Sequence, residues 1–307
     1  MTTAEKLTKK ELLDLYNRDL DELLDISSKL MSDKIEFCSL VNARNGKCSQ
    51  NCKYCAQSSH YRTDIETYPL IEKEKVQKAA LEAKSYHASR FAVVTSGKSP
   101  DESDTDGIID LIKEINKIDG LKSCASIGIL NEEQAKSLKE AGLTRFHHNI
   151  NTCRSYYSSV CTTHTYDDRI NTCRLVKKYG MELCCGVILG MGETVEQRIE
   201  MAMELAEIQP ESIPINILMP IPQTPFENYH DKIDEENILR TLAVFKIANP
   251  KSVLRFCGGR MRLSEENQIR ALKTSVEGIL TGNYLTTTGK SPKDDIAVVS
   301  ALHKILD

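Results

Sequence analysis

The chain has 307 residues and carries 40 lysines and arginines against 44 aspartates and glutamates, a net charge of −4. This balance lacks the basic footprint of a nucleic-acid-binding protein, and we find neither a signal-peptide core nor a run of about 20 apolar residues that would cross a membrane. We therefore expect a cytoplasmic protein with no nucleic-acid or membrane partner. Its eleven cysteines then indicate metal or redox chemistry, because disulfides are rare in that compartment.

Helical and strand patterns alternate along the chain. Residues 8–31 carry leucines at helical spacing, which predicts one helix in an N-terminal helical extension (1–35) ahead of a single barrel domain (36–307). The predicted strands span residues 37–42, 90–95, 122–127, 144–150, 181–189, 212–218, 253–257 and 279–285. The predicted helices between them span residues 73–85, 106–118, 131–141, 166–179, 194–208, 235–248 and 265–276.

Strict alternation of strands and helices implies parallel strands joined by right-handed crossovers. Eight such units are enough to close a (β/α)8 TIM barrel, and the usual length of about 250 residues suits this chain. A doubly wound open sheet is the alternative. Because barrels place their chemistry at the C-terminal ends of the strands, the loops that follow the strands are where a site is expected.

Three cysteines, Cys48, Cys52 and Cys55, form a C-x3-C-x2-C motif after the first predicted strand. Zinc sites usually pair two C-x2-C units, or one such unit with two histidines, and no fourth ligand follows at short range. A four-iron cluster normally takes four cysteines, so three would leave one iron open to a chemical ligand. The motif therefore favours a catalytic iron–sulfur cluster over a zinc site. A redox C-x2-C pair with an unrelated third cysteine is a further alternative.

Five further cysteines fall on predicted strands: Cys38, Cys124, Cys184, Cys185 and Cys257. Because side chains alternate along a strand, only one of Cys184 and Cys185 can face the barrel interior. A single buried cysteine is usually a small hydrophobe, but four strands that each offer a thiol to one interior indicate a second metal site. The three remaining cysteines, Cys153, Cys161 and Cys173, are interpreted as having no role in it.

The cysteine motif resembles that of the radical S-adenosylmethionine family. Tyr54 matches the aromatic position that this family places beside the adenine of S-adenosylmethionine. The stretch Gly186–Glu193, which includes Ile188, matches the family's G-x-I-x-G-x-x-E pattern along the adenine. Taken alone it is a glycine-rich strand-to-helix turn that falls short of a dinucleotide fingerprint. The resemblance implies that the open iron binds the amino and carboxylate groups of S-adenosylmethionine.

Further stretches narrow the resemblance to the biotin synthase family, over roughly residues 35–290. They are Asn45–Ser58, Arg90–Phe91, Ser123–Cys124, His148–Thr152, Thr162–Tyr166, Cys184–Glu193, Ser212–Asn216, Arg255–Arg260 and Leu285–Thr288. The family is a (β/α)8 sulfurtransferase that inserts sulfur into dethiobiotin. The resemblance implies that a radical derived from S-adenosylmethionine removes substrate hydrogen, and that an auxiliary iron–sulfur cluster supplies the sulfur.

The resemblance also assigns individual roles. The expected catalytic residues are the radical-cluster ligands Cys48, Cys52 and Cys55, together with Asn149 and Arg255. The expected contacts of S-adenosylmethionine are Tyr54, Asn149, Asn151, Arg169 and Ile188, and those of dethiobiotin are Arg44, Asn149, Asn216, Thr287 and Thr288. Arg169 is expected near the carboxylate of S-adenosylmethionine. Asn151 stands where the family has an aspartate that binds the ribose, so the contact is expected without the charge.

The chain departs from the family at the auxiliary cluster. Most members bind a two-iron cluster through cysteines on strands two, three and five and an arginine, but here strand two offers Ala92, whose methyl group is no ligand. The chain instead has Cys38 and Cys257 at positions where serines are common in the family. We therefore expect a four-iron auxiliary cluster, as in a variant class of the family. Its expected ligands are Cys38, Cys124, Cys184 and Cys257, with Cys185 as the rival of Cys184.

Two other functions stay open at this point. One is a related radical enzyme with a similar barrel, such as a hydrogenase maturase or a methylornithine synthase. The other is a non-enzymatic iron–sulfur carrier, which would need no adenine strand. The biotin synthase interpretation implies a flavodoxin or ferredoxin as electron donor and a possible homodimer.

Overall fold

The computed structural model describes residues 7–282 and 289–306. Its sheet runs in the order β1–β2–β3–β4–β5–β7–β8–β9, all pairs are parallel, and β9 pairs back onto β1 to close a barrel, with β6 continuing β5 beside β7. The strands are β1 (Lys34–Arg44), β2 (Arg90–Thr95), β3 (Lys122–Ser126), β4 (Arg145–His147), β5 (Glu182–Cys184), β6 (Val187–Leu189), β7 (Ser212–Ile217), β8 (Val253–Phe256), β9 (Gly278–Leu280) and β10 (Ile305–Leu306). The (β/α)8 prediction is confirmed, and closure excludes an open sheet.

The helices lie on the outside of the barrel. They are α1 (Lys9–Tyr16), α2 (Leu20–Ser28), α3 (Lys73–Ser85), α4 (Glu102–Asn116), α5 (Glu132–Glu140), α6 (Tyr157–Val160), α7 (Tyr166–Lys178), α8 (Val195–Ile208), α9 (Glu235–Ala248), α10 (Glu265–Thr274) and α11 (Pro292–Ala301), with 3-10 turns at Arg154–Tyr156 and Arg260–Arg262. None of the helices within the described ranges combines the length and apolar composition that spanning a bilayer requires.

Alternation along the strands sorts the side chains between two environments. Phe37, Phe91 and Phe146 are completely buried and join the apolar core between strands and helices. Their neighbours Cys38 and Ala92 point the other way and line a cavity inside the barrel. The hydrophobic core therefore surrounds the barrel, and the interior is free for polar and thiol groups.

The N-terminal helix was predicted as one element over residues 8–31, and this is wrong. The chain forms two helices because Asp19 interrupts the pattern: its side chain accepts hydrogen bonds from the amides of Asp21 (3.0 Å) and Glu22 (3.2 Å), which starts α2. An aspartate that caps a helix adopts extended backbone, so it cannot continue the helix before it. Both helices pack on α9, and α2 also contacts α10.

The strand predicted over residues 181–189 is broken into β5 and β6. Pro214 on the neighbouring strand β7 has no amide hydrogen to donate to a ladder. Gly186 lies so close to it that a Cβ atom there would stand 1.9 Å from the Pro214 carbonyl oxygen. The Gly186 amide donates instead to Oδ1 of Asn149 (2.9 Å), so the break brings that asparagine into the barrel wall.

The eighth strand, predicted over residues 279–285, is shorter and ends at Leu280, and residues 283–285 of the prediction lie outside the described ranges. The sequence interpretation missed α11 and β10. Asp295 of α11 is tied to the barrel by Arg260, whose Nη2 lies 2.6 and 2.7 Å from the carboxylate oxygens, and by the Thr281 hydroxyl at 2.8 Å. The two charged side chains are 2% and 3% exposed.

This buried pair generates a stability prediction. Asp295→Ala should lower the free energy of unfolding by about 3–5 kcal/mol, because it leaves the Arg260 charge buried without its partner. Lys293→Ala, at an exposed position of the same helix, is the matched control and should change little. The measurement is urea unfolding followed by circular dichroism; equal midpoints for the two variants would show that the pair does not stabilise the chain.

Candidate active site

One cavity of about 420 Å³ opens at the C-terminal ends of the strands. It collects residues that are far apart in the chain. The predicted site residues that line it are Cys38, Cys48, Cys52, Tyr54, Cys55, Cys124, Asn149, Asn151, Arg169, Cys184, Ile188, Asn216, Arg255 and Cys257. The two predicted thiol sites therefore face the same space.

The loop of the cysteine motif is held against the segment Val160–His164. Asn51 makes most of these contacts: its Oδ1 accepts from the amides of Thr162 (2.9 Å) and Thr163 (3.2 Å), and its amide donates to the Thr163 hydroxyl (3.0 Å). The Lys53 amide donates to the Val160 carbonyl at 3.0 Å. This second segment fixes the loop conformation that points the cysteines at the cavity.

Tyr54 and Ile188 lie on an apolar wall of the cavity, in a cluster with Met191, Leu218 and Phe226. Behind the wall, the carboxylate of Glu193 accepts from the amides of Gly190 and Met191, both at 2.8 Å. The buried glutamate thus fixes the turn after β6. The arrangement offers a flat apolar surface and a rigid backbone edge, which suits an aromatic base.

Arg169, in the first turn of α7, is oriented by three acceptors. Its Nε donates to the Tyr157 hydroxyl (2.5 Å), Nη1 to the Asn149 carbonyl (2.9 Å) and Nη2 to Nε2 of His164 (3.0 Å). Both terminal nitrogens keep one further N–H group. The guanidinium is therefore held in place at the cavity wall and can still donate to a carboxylate.

Asn151 adopts a left-handed backbone with φ of +67°. Its amide donates to the Gly186 carbonyl (3.2 Å), and its carbonyl accepts from the Ile188 amide (2.8 Å). Asparagine tolerates this conformation better than most residues. It therefore connects the loop after β4 to the start of β6 and presents its side chain at the cavity.

The residues predicted to bind the substrate differ in where they lie relative to the cavity. Asn216 on β7 bridges two backbones, since its Nδ2 donates to the Val187 carbonyl (3.2 Å) and its Oδ1 accepts from the Gly258 amide (3.0 Å). Arg44 forms an ion pair with Asp104 and donates to the Ser96 carbonyl, beside the cavity but outside its lining. Thr287 and Thr288 lie outside the described residues. The substrate roles stay predictions.

Four cysteines converge lower in the barrel, on β1, β3, β5 and just after β8. They are Cys38, Cys124, Cys184 and Cys257, and all four line the cavity. Cys185 points to the opposite side, where its sulfur lies 3.9 Å from that of Cys173 on α7. The structure thus places Cys184, and not its rival, at the shared space.

A layer of charged side chains lies among and below these thiols. Arg255 donates from Nη1 to the Cys38 sulfur (3.0 Å) and pairs through Nη2 with Glu36. The Glu36 carboxylate also receives Nε of Arg90 and Nη1 of Arg145, both at 2.9 Å. Glu182 pairs with the last two arginines at 2.8 Å. Three cations against two carboxylates leave the layer with an excess of positive charge beneath the thiols.

Burial and this charge layer set the pKa values of the thiols. Burial raises the pKa of Cys124 to about 12, and it also raises the pKa of Cys257 well above that of a free thiol. Burial alone would raise the pKa of Cys184, but the charge of His147, its hydrogen bond and Arg255 lower it to about 6. Cys184 is therefore the thiol of this group that is mostly deprotonated at neutral pH, which is the form that binds metal.

Gly278 shows how closely the arginine is packed. A Cβ atom at this position would stand 3.2 Å from Cζ of Arg255 and 3.3 Å from its Cβ. Since β8 and β9 pair Arg255 with Gly278, the missing side chain on the neighbouring strand makes room for the guanidinium inside the barrel. The glycine is a sequence feature that the interpretation of the motifs did not use.

Sequence reasoning missed several residues of the site. Glu36, Arg90 and Arg145 carry the charge layer, and His147 contacts Cys184. Cys161 was interpreted as having no role, but its sulfur lies 3.7 Å from that of Cys52. The available signal was a charged residue on a strand that is otherwise mainly apolar, such as Arg90 on the Arg90–Thr95 strand. No local pattern marks Cys161.

Two family models match the chain. The radical SAM superfamily model matches residues 44–206. The model of the biotin and thiamin synthesis associated domain matches residues 214–303. The first range holds the three-cysteine loop and Arg169, and the second holds Asn216, Arg255 and Cys257.

Curated proteins similar to the chain are biotin synthases. That of Acetivibrio thermocellus is 47% identical over 277 residues, which cover 90% of this chain and 86% of the relative. That of Clostridium tetani is 42% identical over 296 residues, covering 95% and 90%. That of Pelotomaculum thermopropionicum is 40% identical over 304 residues, covering 97% and 94%.

Solved structures share the fold at low identity. Methylornithine synthase superposes with a TM-score of 0.83 at 15% identity, covering 99% of this chain and 95% of that one. The FeFe-hydrogenase maturase of Carboxydothermus hydrogenoformans gives 0.82 at 14% identity, covering 99% and 76%. At such identities the likeness concerns the barrel alone.

The charge layer generates a stability prediction with a defined pH dependence. Burial by itself would raise the pKa of Glu36, but Arg255, Arg145 and Arg90 hold it far below its usual value. The stabilisation is then present above the unfolded-state pKa of about 4.3 and is lost as the pH falls through the lower folded-state pKa. Glu36→Gln should lower the free energy of unfolding at pH 7 by about 3–5 kcal/mol.

The measurement is urea unfolding of wild type and variant between pH 7 and pH 3. The difference between them should be constant down to about pH 4.3 and shrink below it. Glu133→Gln, at an exposed position of α5, is the control and should follow wild type throughout. A Glu36→Gln difference that grows as the pH falls would contradict the sign argued here.

Proposed function

Since this chain belongs to the biotin synthase family of radical S-adenosylmethionine enzymes, its reaction is the insertion of sulfur into dethiobiotin to form biotin, and we propose how its residues share that reaction. One observation carries the proposal: three thiols of a loop and four thiols of the strands face a single cavity that also holds Asn149, Arg169 and Arg255. The relatives at 40–47% identity are biotin synthases, so a maturase or a methylornithine synthase is not favoured.

Cys48, Cys52 and Cys55 are the proposed ligands of a four-iron cluster. The donor set fits this group, since three thiols on one short loop line the same cavity. Within the described residues, the group of three donors whose atoms lie within 4.8 Å of one another is Cys52, Cys161 and His164, and not the three loop thiols. When bound, this cluster supplies the electron that cleaves S-adenosylmethionine and yields the 5′-deoxyadenosyl radical.

The wall above the loop is the proposed binding surface of S-adenosylmethionine. Tyr54 and Ile188 offer the apolar contact for adenine, and Asn151 offers a side-chain amide to the ribose. Arg169, fixed by Tyr157 and His164, retains N–H groups for the carboxylate. A planar guanidinium suits this partner because it can donate two parallel hydrogen bonds.

Asn149 and Asn216 are the proposed floor of the dethiobiotin site. The Asn149 Oδ1 atom accepts a hydrogen bond from the Gly186 amide (2.9 Å). The Asn149 Nδ2 atom has no hydrogen-bond acceptor among residues 7–282 and 289–306, so this group is free to donate to substrate. Asn216 is braced on both sides, which fixes its position. Three further residues are assigned to the proposed site from the family resemblance alone. They are Thr287, Thr288 and, at the ureido end of the substrate, Arg44.

The four strand thiols are the proposed ligands of the auxiliary cluster, of the four-iron type. The donor set fits that group, because strand two offers only the methyl of Ala92 while Cys38 and Cys257 add two thiols to the same space. When bound, this cluster supplies the sulfur atom. The charge layer suits it, since Arg255 donates directly to Cys38 (3.0 Å) and the excess positive charge offsets the thiolates.

The remaining assignments concern the surroundings of the site. Residues 1–35 form the proposed helical extension, supported by the packing of α1 and α2 on the outer helices, and residues 36–307 form the barrel. A redox partner must deliver the electron, and a flavodoxin or ferredoxin is the proposed donor. A homodimer is proposed on family resemblance alone. A cytoplasmic location is proposed because all eleven cysteines are free thiols.

Anaerobic turnover tests this assignment. The chain, reconstituted with iron and sulfide, should bind about eight irons, two four-iron clusters, and convert dethiobiotin to biotin with S-adenosylmethionine and a reductant. Cys52→Ala should abolish 5′-deoxyadenosine formation, since alanine cannot replace a thiolate ligand, while the fold survives. Cys185→Ala, facing the opposite side of the strand, is the control. Parent-rate 5′-deoxyadenosine from Cys52→Ala would refute the radical site.

The auxiliary site has its own test. Cys257→Ser should remove iron from the second site and lower biotin formation at least tenfold, because a serine hydroxyl stays protonated and binds iron weakly. Uncoupled cleavage of S-adenosylmethionine should persist, since the loop thiols are untouched. Adding Ala92→Cys should not rescue the variant. Mössbauer spectra decide the matter: two unchanged clusters together with normal biotin formation would show that Cys257 is only a packed thiol.

A further inference from the structure

Cys161 lies directly behind the three-cysteine loop. It is 3% exposed, its sulfur stands 3.7 Å from the Cys52 sulfur, and it lies at the start of the segment that braces the loop. Two sulfurs at this distance are joined by one S–H···S hydrogen bond. The proposed function leaves this thiol unused.

The hydrogen bonding of His164 leaves neither of its ring nitrogens available to a separate metal site at this position. The donor atoms of Cys52, Cys161 and His164 lie within 4.8 Å of one another. However, Nε2 of His164 faces an N–H of Arg169 (3.0 Å) and must accept, so the tautomer assigned from these partners carries its proton on Nδ1. That Nδ1–H group donates to Oε1 of Gln50 (2.9 Å). A protonated ring nitrogen cannot bind a metal.

The direction of the sulfur–sulfur hydrogen bond follows from ligation. As a cluster ligand, Cys52 is a thiolate and can only accept, so the proton must come from Cys161. Two neutral acceptors also lie within reach. Oδ1 of Asn51, at 3.4 Å, already accepts from two amides of the bracing segment and from the Thr163 hydroxyl. The Thr163 hydroxyl, at 3.5 Å, already accepts from the Asn51 amide. The Cys161 thiol is therefore left to the anionic sulfur, which is the stronger acceptor.

We propose that Cys161 is a positioning residue that donates a thiol hydrogen bond to the Cys52 thiolate and thereby raises the reduction potential of the radical cluster. This rests on the proposed placement of that cluster on Cys48, Cys52 and Cys55. Hydrogen bonds to ligand sulfurs stabilise the more negative, reduced form of a cluster and so raise its potential.

The contacts of His164 connect the Cys161 thiol to Arg169 on the wall proposed for S-adenosylmethionine. His164 Nδ1 lies 3.3 Å from the Cys161 sulfur, and its Nε2 accepts from Arg169. A continuous chain of contacts thus joins the guanidinium proposed for the carboxylate of S-adenosylmethionine to a cluster ligand. Because the Nδ1 proton is donated to Gln50, His164 packs against the Cys161 sulfur and leaves the thiol proton free to point at Cys52. His164 has no contact of its own with Cys52 among the hydrogen bonds of the described residues.

The experiment is an EPR-monitored redox titration of the reconstituted full-length chain. The signal followed is the one that changes on addition of S-adenosylmethionine, which separates the radical cluster from the auxiliary one. Cys161→Ala should lower the equilibrium constant for reduction of the cluster by up to about tenfold. This corresponds to a fall in the midpoint potential of about 59 mV for one electron. Cys161→Ser retains a donor and should stay close to wild type. Cys153→Ala, which removes a buried thiol that contacts Ser155, should leave the potential unchanged.

Each outcome bears on the proposal. Equal shifts of the midpoint potential in Cys161→Ala and Cys161→Ser would mean that packing, and not hydrogen-bond donation, sets the potential. No shift in either variant would mean that Cys161 does not influence the potential. Either result would overturn the proposal. If Cys161→Ala does not retain the cluster, Cys161→Val, which fills the volume without a donor, replaces it. Loss of the cluster in all three variants would show that Cys161 is structural and would also overturn the proposal. If the followed signal persisted in Cys48→Ala, the placement of the cluster would fail instead.

Discussion

The interior of this barrel depends on a set of opposite charges that folding takes out of water. Glu36 on β1 meets arginines from β2, β4 and β8, and these groups can be buried only because each is paired. The layer fills the barrel below the thiols, so it sets the depth of the cavity. Because it holds more arginine than carboxylate, it also sets the sign of the potential beneath the cavity. Groups that lose protons or carry negative charge are favoured there.

The second constraint is the break between β5 and β6. A proline on the neighbouring strand removes one ladder hydrogen bond, and a glycine lets the two backbones approach. The amide released from the ladder donates to Asn149, which belongs to the loop after β4, and this contact holds the Asn149 side chain in the cavity wall. A local defect in the sheet thus positions a polar group in the cavity wall.

The upper site is built by two segments that are about 110 residues apart in the chain. The loop of the cysteine motif has little regular structure of its own, and the segment from Val160 to His164 supplies its missing hydrogen bonds. The same segment carries Cys161 and His164, and it leads into the helix that presents Arg169. One short stretch of chain therefore couples the conformation of the loop, the surroundings of Cys52 and the position of Arg169.

The sequence by itself determined the barrel, the cysteine loop and the family, because period-two and period-3.6 patterns and the cysteine spacing are local properties of the chain. It also identified the four strands that offer thiols, but alternation could not decide between Cys184 and Cys185. Either register points one of the two into the barrel and buries the other against the helices. That choice, the split of the strand at Gly186 and the docking of α11 through Asp295 were decided by contacts with segments that are distant in the chain. The N-terminal helix pair has a local cause, the Asp19 cap, which the leucine pattern did not reveal. The contact of Cys161 with Cys52 and the pairing of the three arginines with Glu36 became recognisable only in three dimensions, because hydrogen bonds and ion pairs between remote segments leave no periodic trace in the sequence.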